Sequence, residues 1–357
     1  MVRGGGVGVL RLLRSIRVIA TPRRNVSSSS SVGFSGAGFM GCYHIGVASC
    51  FQDHGVFCDP EMIVSGVSAG GLVAAGVVFR VEAEDAMEVT LEMARRTRNT
   101  FGGPVMTALK PGGSLVDLVH ELSGARLRKV MLGRSEDLSN ETLNLRIGVT
   151  EHDRKTMTFR YCYADQFRDI DDVIAVAVLS SYIPGITGPL VASSSSKLGR
   201  AMAKVREMQA LGYLKGQGQD KERKNFDSVY YFDGGLLNMF PSVDERTIVV
   251  TPLCGDFSPN PFICPESKRK TKYSETENGS PAEMKLARKV VQERLRNFFL
   301  SKRAAISMES SNVDTLIRMV VASSSERVLE AKFQQGYNDA RKFLDQRSLL
   351  RVHTTSG

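Results

Sequence analysis

The segment Gly66-Val67-Ser68-Ala69-Gly70 restricts the fold of this chain more than any other. A serine with glycines two residues to either side follows the apolar run Met62-Ile63-Val64 and precedes the small-residue stretch Gly70 to Arg80. That order predicts a short strand doubling back into a helix, the nucleophile elbow. Gly66 and Gly70 remove side chains that would collide in the turn. Ser68 is left at the end of a sheet and at a helix N-terminus, where the helix dipole favours developing negative charge.

A second glycine turn, Gly36-Ala37-Gly38-Phe39-Met40-Gly41, lies between the strand candidate Ser31 to Phe34 and the helical pattern Cys42 to His54. It has two readings. In acyl transfer, the N–H groups of Gly36, Ala37 and Gly38 form an oxyanion hole, with Ala69 N–H as a further donor. Each such donor is worth about 10² to 10³ in rate. The rival is a dinucleotide fingerprint with Asp59 as the ribose acid. Against it, Asp59 precedes the second strand, whereas a ribose acid sits at that strand's end.

A serine nucleophile needs a base, and the chain has five histidines: His44, His54, His120, His152 and His353. A triad in the order Ser, Asp, His would need a histidine after Asp233. Only His353 follows it, in a polar tail; His44, just after the glycine turn, is the best candidate near the site, with packing of a helix as its expected role. Asp233-Gly234-Gly235, after the strand candidate Ser228 to Phe232, offers a two-residue alternative. Asp233 would take the Ser68 proton and later activate the deacylating water, while Gly234 and Gly235 let the chain turn beside the elbow. An unperturbed Asp, with a pKa of ~3.9, is a weak base for a hydroxyl, so the site must desolvate it. Taken alone, Asp-Gly-Gly is an ordinary turn.

Charge excludes one class. The net charge of +9 includes Arg3, Arg11, Arg14, Arg17, Arg23 and Arg24, and no acid precedes Asp53; nine less these six leaves +3 for the rest. No nucleic-acid footprint follows. Residues 1–31, Arg-rich and ending in serines, have the composition of a mitochondrial or plastid transit peptide. The alternatives are a disordered basic leader or a short interfacial helix, with the protein in the cytoplasm or at a lipid-droplet surface. Six cysteines show no metal-ligand spacing, so neither a metal nor a cofactor is expected. No run approaches the ~20 apolar residues of a membrane span.

The first hundred residues read strand–turn–helix twice, which predicts α/β architecture with a parallel, helix-covered sheet. Glu82 to Arg98 continues it as an amphipathic helix. Leu143 to Val149 and Thr156 to Cys162 form a hairpin, Asp169 to Ser181 a helix, and Thr247 to Thr251 a strand. From about Glu283 to Leu344 the pattern is again helical. Ala192 to Asn225, with eight basic and three acidic residues from Lys197 to Lys224, reads as a partly disordered surface insertion. Its alternative is a basic amphipathic helix, Leu198 to Leu211, that lays Leu198, Met202, Val205 and Met208 on anionic lipid.

The two glycine turns and the Asp-Gly-Gly resemble the patatin-like phospholipase family. The similarity is most detailed to its adipose triglyceride lipase branch, in Phe34 to Gly41, Tyr43 to Cys50, Tyr231 to Gly235, Ile263-Cys264-Pro265 and Gln335 to Asp339. The resemblance runs from about Val32 to Leu344. It implies a three-layer α/β/α core with a mostly parallel central sheet, a catalytic domain over 32–265, and a helical C-terminal extension with a polar tail over 266–357. It also implies a Ser68–Asp233 dyad that hydrolyses acyl esters of glycerolipids, triacylglycerol or phospholipid, without metal, at a membrane or droplet surface. A transacylase using the same site, a catalytically silent lipid-binding adaptor, and an unidentified protein co-activator stay open. Two departures are the 192–225 insertion and the short stretch after the core, where that branch has a long droplet-binding region.

Overall fold

The computed structural model describes residues 31–98, 114–132, 137–139, 143–216, 226–256, 259–266, 305–306, 315, 319 and 325–354. The expected leader, except Ser31, lies outside the described residues, as do 217–225 of the insertion and most of 267–324. The strands are β1 (Ser31–Phe34), β2 (Ile63–Val67), β3 (Leu145–Asp153), β4 (Thr158–Ala164), β5 (Leu214–Gly216), β6 (Val229–Asp233), β7 (Ile248–Val250), β8 (Gly255–Asp256), β9 (Phe262–Ile263) and β10 (Ala305–Ile306). The helices are α1 (Gly41–Asp53), α2 (Ala69–Val78), α3 (Ala83–Arg98), α4 (Leu115–Leu118), α5 (Gly124–Met131), α6 (Ile170–Ser180), α7 (Lys197–Ala210) and α8 (Glu326–Thr354).

The central sheet runs β5-β4-β3-β2-β1-β7-β9, parallel from β3 through β9 and antiparallel at the β4–β5 edge. The strands β1, β2 and β7 are short and almost wholly buried, as parallel strands covered on both faces must be. Helices on both faces complete the three-layer α/β/α architecture of the sequence expectation. Both glycine turns leave the same ends of neighbouring parallel strands, β1 and β2, at the usual position for a site on an open parallel sheet.

β3 has a second role. Its first half pairs in parallel with β2, ending at Val67↔Gly148. Its second half pairs antiparallel with β6, starting at Asp233↔Val149. So β2 and β6 approach each other end to end along one edge of β3, and their last residues face consecutive positions on it. Ser68 follows Val67, and Asp233 ends β6. The topology brings them together across 165 residues of sequence.

The insertion departs from expectation. Lys197 to Ala210 is a helix, α7, capped by the Ser196 hydroxyl, which accepts from Gly199 N–H at 3.0 Å. The four residues that the alternative reading laid on lipid, Leu198, Met202, Val205 and Met208, are instead buried, and α7 packs on α6. Side chains already out of water gain no further hydrophobic energy from lipid. The periodicity was informative, but the protein itself covers that face.

The C-terminal segment also differs: α8 runs to Thr354, so the expected polar tail continues as helix. It lies along α1 at very short range. A Cβ placed on Gly46 would fall 2.0 Å from the Phe333 carbonyl oxygen, and one on Gly336 would fall 2.1 Å from that of Tyr43. Tyr43 Oη donates to Asp339 Oδ2 at 3.0 Å, and Tyr337 Oη to Asp53 Oδ2 at 2.8 Å. Two small residues and two crossed hydrogen bonds lock this helix pair.

Candidate active site

The elbow forms as the glycines predict. Ser68 has φ 55° and ψ −132°, a conformation that L-residues adopt only when the surroundings enforce it. A Cβ on Gly66 would sit 2.2 Å from the Gly70 oxygen, and one on Gly70 would sit 2.3 Å from the Phe34 oxygen. The turn therefore closes on itself and on β1, with no room for any side chain at either frame position. Ser68 is partly exposed, and its N–H donates to Ser180 Oγ at 2.8 Å.

Asp233 is 4% exposed. Its carboxylate accepts from Gly235 N–H at 2.7 Å, and the nearby Ser68 hydroxyl also favours its ionised form. Burial raises its pKa from 3.8 to about 6, outweighing both of these effects. Its backbone is held on both sides: its N–H donates to Tyr182 O at 2.8 Å, and its carbonyl accepts from Thr150 Oγ1 at 2.8 Å. A Cβ on Gly234 would meet the Gly148 oxygen at 2.3 Å, so the turn after Asp233 is pressed against β3.

The first glycine turn faces this pair. A Cβ on Gly36 would come 3.8 Å from the Ser68 Cβ, and one on Gly41 would come 3.2 Å from that of Ala69. One donor of the expected oxyanion hole is lost: Gly36 N–H donates to Met239 O at 3.1 Å. Among the described residues, no partner takes the N–H of Ala37, Gly38 or Ala69. Gly38 has φ +49°, a left-handed conformation that suits glycine. The N–H groups that remain available in the described residues are those of Ala37 and Gly38, with Ala69 at the N-terminus of α2. Met239 Sδ lies against both Gly36 and Gly235 and so bridges the two loops.

His44, His54 and His152 have their partners elsewhere. His44 is fully buried on Phe34 and Tyr43, with Nε2 3.4 Å from Ser35 Oγ. Burial lowers its pKa to about 3, which keeps it neutral and fits the packing role expected of it. His54 Nδ1 bonds the Cys50 carbonyl, and His152 stacks on Phe159. Asp59 is exposed, just ahead of β2 and at the opposite end of that strand from Ser68. That position is wrong for a ribose-binding acid. Among the described residues no cluster of His, Cys, Asp and Glu could hold a metal, and no helix is long and apolar enough to cross a membrane.

Residues 33–243 match the family model described as Patatin-like phospholipase, a stretch that includes both glycine turns and Asp233. The chain belongs to the patatin-like phospholipase family. Human patatin-like phospholipase domain-containing protein 2 is 24% identical over 322 residues, covering 90% of this chain and 49% of the relative. A human 1-acylglycerol-3-phosphate O-acyltransferase is 24% identical over 67% of this chain and 40% of its own length. Human patatin-like phospholipase domain-containing protein 4 is 26% identical over 64% of this chain and 74% of that protein. The chain thus spans about half the length of the first of these relatives.

Besides Met239, four residues at the site escaped the sequence reading: Gly148, Thr150, Ser180 and Tyr182. They share no motif. Each earns its place through the β2–β3–β6 junction, which only the topology shows.

Proposed function

We propose that this patatin-like protein is a serine acyl hydrolase of glycerolipids, with Ser68 as nucleophile and Asp233 as general base. The observation that carries this reading is the meeting of Ser68, at the end of β2, with a buried Asp233 of raised basicity, at the end of β6, on consecutive positions of β3. Ser68 Oγ attacks the ester carbonyl while its proton passes to Asp233. The oxyanion lies between the Ala37, Gly38 and Ala69 N–H groups at the start of α2. The protonated Asp233 then gives its proton to the departing alcohol, leaving an acyl-serine. A pKa near 6 suits both steps, because the group is ionised at neutral pH yet takes the proton more readily than an ordinary Asp.

Asp233 next deprotonates the acceptor. Water gives hydrolysis, and a glycerol hydroxyl gives transacylation; the name of the acyltransferase relative supports keeping the second outcome. Fluorophosphonate labelling tests the reading: wild type reacts at Ser68 and Ser68→Ala does not. Equal labelling of the two folded proteins would sink it. Incubation of purified protein with mixed triacylglycerols and phospholipids, read by mass spectrometry, then assigns substrate and acceptor. The Arg-rich, acid-free leader supports delivery to a mitochondrion or plastid. Residues 1–31 fused to a fluorescent protein should direct it to one of these organelles; diffuse fluorescence would end that proposal.

A further inference from the structure

Ser180 is the last residue of α6, fully buried beneath the elbow. A serine at a helix end usually bonds back to its own helix, and Ser181 does so, donating to Ala177 O at 3.0 Å. Ser180 points away from the helix. Its Oγ lies 2.8 Å from Ser68 N and 2.6 Å from Gly148 O. The roles in this bridge are forced. A backbone N–H can only donate and a carbonyl can only accept, so Ser180 Oγ accepts from Ser68 and spends its single proton on Gly148.

The β2–β3 ladder ends at Val67↔Gly148, after which the strained turn lifts Ser68 away from the sheet. The Ser180 hydroxyl bridges the gap and continues the ladder by one side chain. Gly148 is also the residue against which the turn after Asp233 is pressed. We propose that Ser180 is a positioning residue that fixes the backbone of the nucleophile to the strand against which the base is registered. With its proton committed to Gly148, Ser180 neither donates to substrate nor to Asp233. It also takes the Ser68 N–H out of the set of oxyanion donors. This proposal rests on the acyl-transfer reading for its kinetic consequence but not for its geometry.

The test compares wild type, Ser180→Ala and Ser180→Thr for ester turnover, fluorophosphonate labelling rate, and amide exchange of the peptide containing residues 66–72. Ser180→Ala is expected to lower kcat and labelling roughly 10- to 100-fold, with KM within about twofold, because a small misplacement of the attacking atom costs rate more than binding. Elbow exchange should accelerate about tenfold or more, since the amide loses its partner. Ser180→Thr, which keeps the hydroxyl, should recover most of both. If Ser180→Ala does not fold, Ser180→Cys, with its weaker acceptor, gives the same readings. Unchanged kcat, labelling and exchange would overturn the proposal, as would a folded Thr variant no better than Ala. If wild type is labelled no more than Ser68→Ala, the acyl-transfer reading fails and exchange alone decides: unaltered elbow protection in Ser180→Ala overturns the positioning role, and faster exchange upholds it.

Discussion

The two halves of the proposed site are made in opposite ways. The nucleophile half is local: within five residues, Gly66 to Gly70, the chain supplies the strand end, the strained turn and the helix start. The base half is assembled from distant parts. Asp233 is set by Tyr182 from the turn after α6, Thr150 from β3, and the close approach of Gly234 to Gly148. A local device is written as a motif. An assembled one is written as topology, and damage to it travels through residues that never meet substrate.

Replacing the base is the most severe way to break the assembled half. Asp233→Asn should lower turnover about 10³-fold or more while lipid binding persists; near-normal turnover would exclude the dyad. The same substitution carries a stability signature. Asp233 has its folded pKa raised from 3.8 to about 6, so its ionisation weakens the fold as the pH rises through 6. Asp233→Asn should therefore melt above wild type at pH 7.5, and the gap should close as the pH falls towards 4. In wild type, kcat/KM should lose about tenfold per pH unit below about 6, with one limb from one carboxylate. A limb centred near 4 would show that the carboxyl is not desolvated in solution.

Gly234→Ala sharpens the comparison at the point where the halves meet, because the added Cβ would also come 2.9 Å from Val67 of the elbow. The added Cβ would strike the Gly148 carbonyl, a backbone group tied into β3. Turnover should fall about 10²-fold, with stability lower by roughly 1–3 kcal/mol, and assays of activity and thermal melting would read both. Thr150→Val is the mildest break. It removes the hydroxyl that donates to the Asp233 carbonyl but keeps the shape, and should cost about 1 kcal/mol of stability and several-fold in kcat. An unaltered kcat would mean that Tyr182 and the β-ladder suffice to hold the base.

The same contrast explains what was legible in the sequence. The elbow, the Asp-Gly-Gly and the parallel α/β core could be read because turn chemistry and strand–helix alternation act at fixed, short offsets. Ser180 could not: its partners lie 112 and 32 residues away, and nothing in Leu179-Ser180-Ser181 separates a buried bridge from a helix end. The oxyanion turn was half legible. Its glycines announced bare N–H groups, but the diversion of Gly36 N–H to Met239 depends on where the chain passes after Asp233. For α7, the helical period was present, and what covers its apolar face was decided by α6.

The locking of α8 against α1 has a consequence for the order of events during synthesis. The oxyanion turn caps α1 and emerges early, yet Gly46 and Tyr43 wait for Phe333, Gly336 and Asp339, nearly three hundred residues later. At about 5–20 residues per second, that wait is on the order of 15 to 60 seconds. Until α8 leaves the ribosome, the nascent chain carries its serine without the helix pair that steadies the facing loop. A segment translated nearly three hundred residues later thus completes a support for the loop that faces the serine.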